Sequence, residues 1–311
     1  MFNIVEKRHW YFLFSAILFA LSIAAMVASA VRFGQPLRLG IDFTGGSIFV
    51  LKFDQAVSED DIRTVFADYG LESAIVQPRG APEEHIWQVR TREVTANEVG
   101  SLLAALEERV GKIDRDALTF DTVEPAVGSE VTRAATLAIL VASLIIVAFM
   151  WFSFRRVPNA FRYGVCTIAG MAHNLIISFG FYALMGILAG WEMDALFLTA
   201  ILTVIGFSVQ DVIVVFDRIR ENIPRHKKEP FETVVNRSIL ETIHRSLATQ
   251  LNAMFVMIAI ILFGGTTIRP FISTLLVGMV SETYSAIFIA VPLLVVWEKA
   301  AARRGVARAM A

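Results

Sequence analysis

Six long stretches of this chain carry almost no charge: residues 10–31, 134–154, 164–188, 195–216, 246–263 and 271–297. A helix of roughly 20 apolar residues is what crossing a bilayer core requires. Lipid offers no partner to backbone N–H and C=O groups, so each stretch is expected to be a spanning helix. Composition agrees: 56% of residues are hydrophobic and 18% charged, far from the usual soluble mix. Lys7 and Arg8 precede the first stretch as they would in a secretory signal. Its uncharged run is too long for a signal core, and no small-x-small cleavage pattern follows at a suitable distance. It reads as a retained anchor.

Positive charge gives an orientation, because cytoplasmic loops retain lysine and arginine. Lys7 and Arg8 flank span 1, and Arg155, Arg156 and Arg162 fill the 2–3 loop. The 4–5 loop carries Arg218, Arg220, Arg225, Lys227, Lys228, Arg237 and Arg245, and the tail carries Lys299, Arg303, Arg304 and Arg308. The opposite short loops hold only Arg269. Both termini are therefore expected in the cytoplasm of a cell-membrane protein, with the long 1–2 segment outside. Trp10, Trp151, Trp191 and Trp297 fall at span ends, as an aromatic belt would place them. Cys166 is the only cysteine and lies in span 3, so it reads as a small apolar group.

Four regions follow: 1–31, the N-terminus and span 1; 32–133, an outer domain; 134–297, spans 2 to 6; and 298–311, a basic tail. In the outer domain, residues 46–53 are rich in β-formers. Ser58-Glu59-Asp60-Asp61 opens a helix to about Tyr69, and Thr95-Ala96-Asn97-Glu98 opens another to Val110. Residues 73–78 and 85–92 read as strands around a Pro/Gly turn, and 117–123 as a last strand. The order β-α-β-β-α-β predicts a ferredoxin-like α+β unit, a scaffold that says nothing specific about function. No His-Glu-x-x-His, Walker A or Gly-x-Ser-x-Gly pattern occurs, so neither an enzyme, a metal site, a cofactor nor a nucleic-acid partner is expected.

The chemistry-bearing positions lie inside the spans. Asp211 interrupts span 4, where an ionisable group costs roughly 2.5–3.5 kcal/mol on insertion scales and usually marks a transport path. It sits about 8 Å from the cytoplasmic end at 1.5 Å per residue, and Arg245 stands at the threshold of span 5 on that side. Alternating approach and separation of the two would let Asp211 shed and take up a proton. A static ion pair bracing spans 4 and 5 is the other reading, and position alone leaves both open. His173, mid-span 3, could shuttle protons or bond a carbonyl. Glu282, inside span 6, is either protonated and hydrogen-bonded or part of the same path. Asp217-Arg218-Ile219-Arg220-Glu221 reads as a solvated helical extension with i,i+3 pairs. Phe231, Val234, Val235, Ile239 and Ile243 predict an amphipathic helix along the cytoplasmic interface, leading to Arg245. Gly170, Gly180, Gly186, Gly206 and Gly278 are expected at close helix approaches. Gly40-Ile41-Asp42-Phe43-Thr44-Gly45-Gly46 taken alone is a structural turn.

Together these residues resemble the SecF family of bacterial protein-export proteins. The resemblance rests on Gly40-Ile41-Asp42-Phe43-x-Gly45-Gly46 and on the string from Ser208 through Asp211 to Asn222. Phe263-Gly264-Gly265 and Thr283-Tyr284-Ser285 extend it to nearly the whole chain. It implies the resistance-nodulation-division superfamily, an accessory role at the Sec channel, a SecD-like partner and proton-driven late steps of polypeptide export. Asp211 and Arg245 then map onto the family's proton relay, and Asp42, Gly45 and Gly46 onto a hinge between span and outer domain. Asp217, Arg218, Arg220 and Glu221 would shape the cytoplasmic entrance. The sequence departs from the family pattern at Gln210-Asp211-Val212 (usually Asn-Asp-Thr), at Asn174 (usually Asp) and at Glu282 (usually Gly). Glu282 is expected to compensate in part for a proton path altered at 174 and 212. The rival readings are half of a solute or lipid exporter of the same superfamily, and a non-transporting scaffold of the channel.

Overall fold

The computed structural model describes residues 3–72, 74–155, 160–265 and 268–309. Ser73, Arg156 and the side chains of Arg303, Arg304 and Arg308 lie outside the described residues. The chain divides into two compact units, Leu39–Thr136 and the remainder, formed by Met1–Arg38 with Leu137–Ala311.

In chain order, helix α1 (Arg8–Phe33) is followed by a short helical turn, α2 (Ile41–Thr44). The outer unit then runs β1 (Gly46–Lys52), α3 (Glu59–Asp68), β2 (Ile75–Pro78), β3 (Ile86–Thr91), α4 (Ala96–Arg109) and β4 (Thr119–Val123). The four strands form one antiparallel sheet in the order β2-β3-β1-β4. This is the predicted α+β unit. Alternation along β1 buries Phe49 and Leu51, which pack with Ile62, Val65, Phe66, Leu102 and Leu106 from the two helices. Helix α3 starts at Ser58, whose Oγ accepts the N–H of Asp61 at 3.1 Å. Helix α4 starts with a reciprocal capping box between Thr95 and Glu98. Gly46 pairs with Val123, so the first residue of β1 faces the last of β4.

The second unit is helical. It comprises α1 with α5 (Pro125–Phe154), whose first residues belong to the outer unit, α6 (Ala160–Leu188), α7 (Ala195–Arg225), α8 (Phe231–Phe263) and α9 (Arg269–Ser285). A π-helical stretch, Ala286–Ala290, joins α9 directly to α10 (Val291–Ala309). Six helical segments are long and apolar enough to cross a membrane, α9 and α10 counting as one. On α1 burial is inverted relative to a water-soluble bundle, and α5 also turns large apolar side chains outward. Leu13, Phe14, Ile17 and Leu21 on α1 and Leu140, Leu144 and Phe149 on α5 point outward. The buried α1 positions are instead Ser15, Ser22 and Ser29, one every seventh residue. Small residues inside and apolar ones outside are what helices packing in lipid require.

The expected close approaches are selective. A Cβ at Gly278 would collide with the Val204 side chain, so α9 lies tight on α7 there, whereas one at Gly206 would meet open space. The predicted amphipathic helix continues without a break into span 5. Its residues form the first turns of α8, which runs unbroken because no Gly or Pro interrupts residues 231–263. Val235 and Ile239 are buried in a cluster with Ile4, Val5, Phe216 and Ile219, so that apolar stripe packs on protein.

Candidate functional site

Four helices aim polar side chains at one another inside the apolar bundle. Helix α7 supplies Ser208 and Asp211, three residues apart and so on one face. Helix α8 supplies Ser246 and Gln250, α9 supplies Ser281, Glu282 and Ser285, and α6 supplies His173, Asn174 and Ser178. Asp211 is 4% exposed and Glu282 fully buried.

Gln250 Nε2 donates to Asp211 Oδ2 at 3.1 Å and to Glu282 Oε2 at 2.8 Å. Beside this bridge, Asn174 Nδ2 donates to Ser208 Oγ at 3.1 Å, and Ser281 Oγ donates to Asn174 Oδ1 at 2.8 Å. Ser208 in turn donates to the Val204 carbonyl and Ser178 to that of Asn174. Among the described residues, three buried polar atoms of this cluster have no hydrogen-bond partner: Glu282 Oε1, Ser246 Oγ and His173 Nε2. Every hydrogen-bonding group found on the two carboxyls is neutral.

The expected residues divide. Asp211 and Glu282 are brought together through Gln250, with Asn174 one hydrogen bond from the serine on the same α9 turn as Glu282. His173 stands at the margin, its Nδ1 3.4 Å from Asn174 Oδ1 and its ring 6.5 Å from that of Tyr284. Arg245 is exposed and is not brought to Asp211 in this arrangement. At 3.6 residues per turn it lies about 140° around α8 from Gln250. Val212 is buried among apolar neighbours.

The string after Asp211 ties α7 to α8. Asp217 pairs with Arg220 at 2.5 Å and Arg218 with Glu221 at 2.7 Å, as the i,i+3 spacing predicts. Arg218 Nε also reaches Glu241 Oε2 at 2.6 Å, and Asn222 Nδ2 donates to the same oxygen at 2.8 Å.

In the outer unit, Gly45 adopts φ 69° and Gly46 φ 112°, conformations that a side chain rarely permits. A Cβ on Gly46 would come within 2.5 Å of the Thr91 carbonyl oxygen. Gly128 at the start of α5 leaves room for the same turn, since a Cβ there would lie 2.8 Å from Gly45 N. Arg90 on β3 clamps the turn from the other side, donating to Leu39 O at 2.6 Å and Thr44 Oγ1 at 2.5 Å. Asp42 sits half-buried in α2.

Sequence reasoning did not single out Gln250, Ser281, Glu241, Arg90 or Gly128. Gln250 had a usable signal, an amide amid an uncharged span, where a polar side chain needs an interhelical partner. Among the described residues no group of three or more His, Cys, Asp or Glu side chains converges to hold a metal ion.

Residues 103–300 match the family described as protein export membrane protein SecD/SecF, C-terminal, and residues 33–57 match the SecD/SecF GG motif. The translocase subunit SecF of Thermobaculum terrenum is 42% identical over 307 residues, covering 96% of this chain and 94% of that protein. SecF of Anaerolinea thermophila is 41% identical with the same coverage. The chain belongs to the SecF family. It is a multi-pass SecF subunit of the protein translocase, a transport protein and not an enzyme. The crystal structure of SecDF, a translocon-associated membrane protein from Thermus thermophilus, shares the fold with a TM-score of 0.79 at 27% identity. The match covers 96% of this SecF chain and 39% of that longer chain. A SecDF structure in a super-membrane-facing form gives 0.67 at 27% identity, covering 99% and 40%.

Proposed function

We propose that this SecF uses a transmembrane proton gradient to promote late steps of polypeptide export at the Sec channel, paired with a SecD-like subunit, and that Asp211 carries the proton. The observation that carries the reading is the neutral setting of Asp211: a buried carboxyl held by an amide rather than by a cation. Leaving a charge uncompensated in a dry interior costs several kcal/mol, and a proton removes that charge. A brace would instead show Asp211 locked to a guanidinium. Arg245 is the cation that modulates Asp211 when α7 and α8 shift, and His173 lies beside the same cluster.

The partner assignment rests on the likeness to SecDF, in which the matched region is 39% of the chain. The Arg90-clamped Gly45-Gly46 turn and Asp42 pass helix movement to the outer unit, and the 217–222 string shapes the cytoplasmic entrance. Both termini face the cytoplasm in this reading, which the basic loops and tail support.

The test is export into vesicles containing the chain and its copurified SecD-like subunit. Asp211→Asn is expected to insert and assemble normally but to gain nothing from an imposed proton gradient. Full gradient-dependent export by that variant overturns the reading. Purification of a homodimer with no SecD-like subunit would favour an exporter half.

A further inference from the structure

We infer that Glu282 is a second proton-binding residue, coupled to Asp211 through the Gln250 amide so that the two carboxyls share a proton rather than titrate independently. This rests on the proton-carrying role proposed for Asp211. The Gln250 NH₂ group has two hydrogens, and its nitrogen lies 3.1 Å from one carboxyl and 2.8 Å from the other. Both acids are therefore fixed on one small donor, with α7 and α9 held at a spacing that the bare Gly278 surface permits.

Two like charges at that spacing in a dry interior disfavour each other, and such pairs lose their protons in coupled steps. The surroundings add nothing to neutralise a double charge. The nearest titratable side chain on α6, His173, stands at the margin beside Asn174 with Nε2 unpartnered, and α7 brings only Asp211 itself. On α8 the neighbouring charged groups, His244 and Arg245, are exposed. On α9, Tyr284 gives its hydroxyl to the Tyr11 carbonyl at 2.7 Å.

The unsatisfied atoms mark where a proton can be placed. Glu282 Oε2 is engaged by Gln250, while Oε1 is buried with no partner, and so is Ser246 Oγ, one turn before Gln250. Gln250 carries no proton itself. It holds the oxygens so that loading one carboxyl leaves the other ionised, and opening the bridge lets the proton change owner. Gln250 supplies the one hydrogen bond that the buried Glu282 carboxyl receives from a side chain among the described residues.

The experiment is a carboxyl titration by infrared spectroscopy on the full chain with its SecD-like subunit. Wild type is compared with Glu282→Gln, Asp211→Asn and Gln250→Leu. Each single acid removal is expected to move the midpoint of the remaining acid by more than about one pH unit. Gln250→Leu, which keeps both acids, is expected to move both midpoints. Gradient-driven export by Glu282→Gln should show a displaced pH profile. An Asp211 midpoint unchanged in Glu282→Gln and in Gln250→Leu overturns the inference and leaves the Asp211 role intact. Full export by Asp211→Asn overturns the underlying reading, which the titration does not measure. Should Glu282→Gln fail to capture its partner subunit, Glu282→Ala supplies the acid removal and Gln250→Leu the loss of the bridge.

Discussion

Arg218 Nε lies 2.6 Å from Glu241 Oε2, joining the C-terminal end of α7 to the first half of α8. The pair is about one-third exposed, so its direct worth is about 0.2–1 kcal/mol. Asn222 shares the same carboxylate, which makes the contact part of a network. Arg218→Ala is expected to speed proteolysis in the 226–230 connection, and the exchange Arg218→Glu with Glu241→Arg to recover part of the protection. A double-mutant cycle checks it; fully additive effects would show that the two side chains do not act together.

For Asp211, substitution by glutamate gives a graded test. Glu keeps the acid but lengthens the side chain beyond the position Gln250 holds. We expect Asp211→Glu to keep partial gradient-dependent export where Asp211→Asn keeps none. Equal loss in both would mean that geometry, rather than possession of a proton-binding group, is what the site demands at this position.

Gly46→Ala introduces a Cβ against the Thr91 carbonyl at a backbone angle of φ 112°. Strain of this kind costs about 1–3 kcal/mol. The variant is expected to lower the unfolding temperature of the outer unit, read by a thermal scan of the whole protein. An unchanged scan would show that the turn relaxes freely.

Acid sensitivity of the outer unit follows from Asp114. The Lys52 ammonium, bonded to Asp114 at 3.0 Å, holds its carboxyl below its ordinary value of 3.8, with lesser help from the N–H groups of Asp116 and Ala117. A depressed folded value means that the folded state binds fewer protons, so the stabilisation is present above the unfolded value and lost as pH falls through the folded one. Below about pH 4, Asp114→Asn should therefore unfold with a shallower pH dependence than wild type. Parallel acid-unfolding curves would remove Asp114 from the account.

Much of the fold was legible because it rests on local patterns. The six apolar runs, the alternation in β1 and the caps at Ser58 and Thr95 are each fixed within a few residues of chain. The helix after Pro230 was legible but its neighbours were not, because an amphipathic stripe looks the same whether it meets headgroups or Ile4 and Phe216. At the site, Asp211 and Glu282 stood out as acids in lipid, but nothing local says that they share a donor. That juxtaposition depends on how α7, α8 and α9 cross, and on Gly278 clearing the way. Arg90 and Gly128 escaped notice for the same reason, since their roles exist only once distant segments meet.

The pairing of Gly46 with Val123 has a mechanical consequence. The chain enters the sheet at one of these residues and leaves it at the other, so both leads depart from a single corner. A domain attached in this way can swing on its neck while every rung of its own ladder stays closed. A displacement shared by both leads therefore leaves the β1–β4 rungs unloaded, whereas one that separated them would open the ladder from its Gly46–Val123 end.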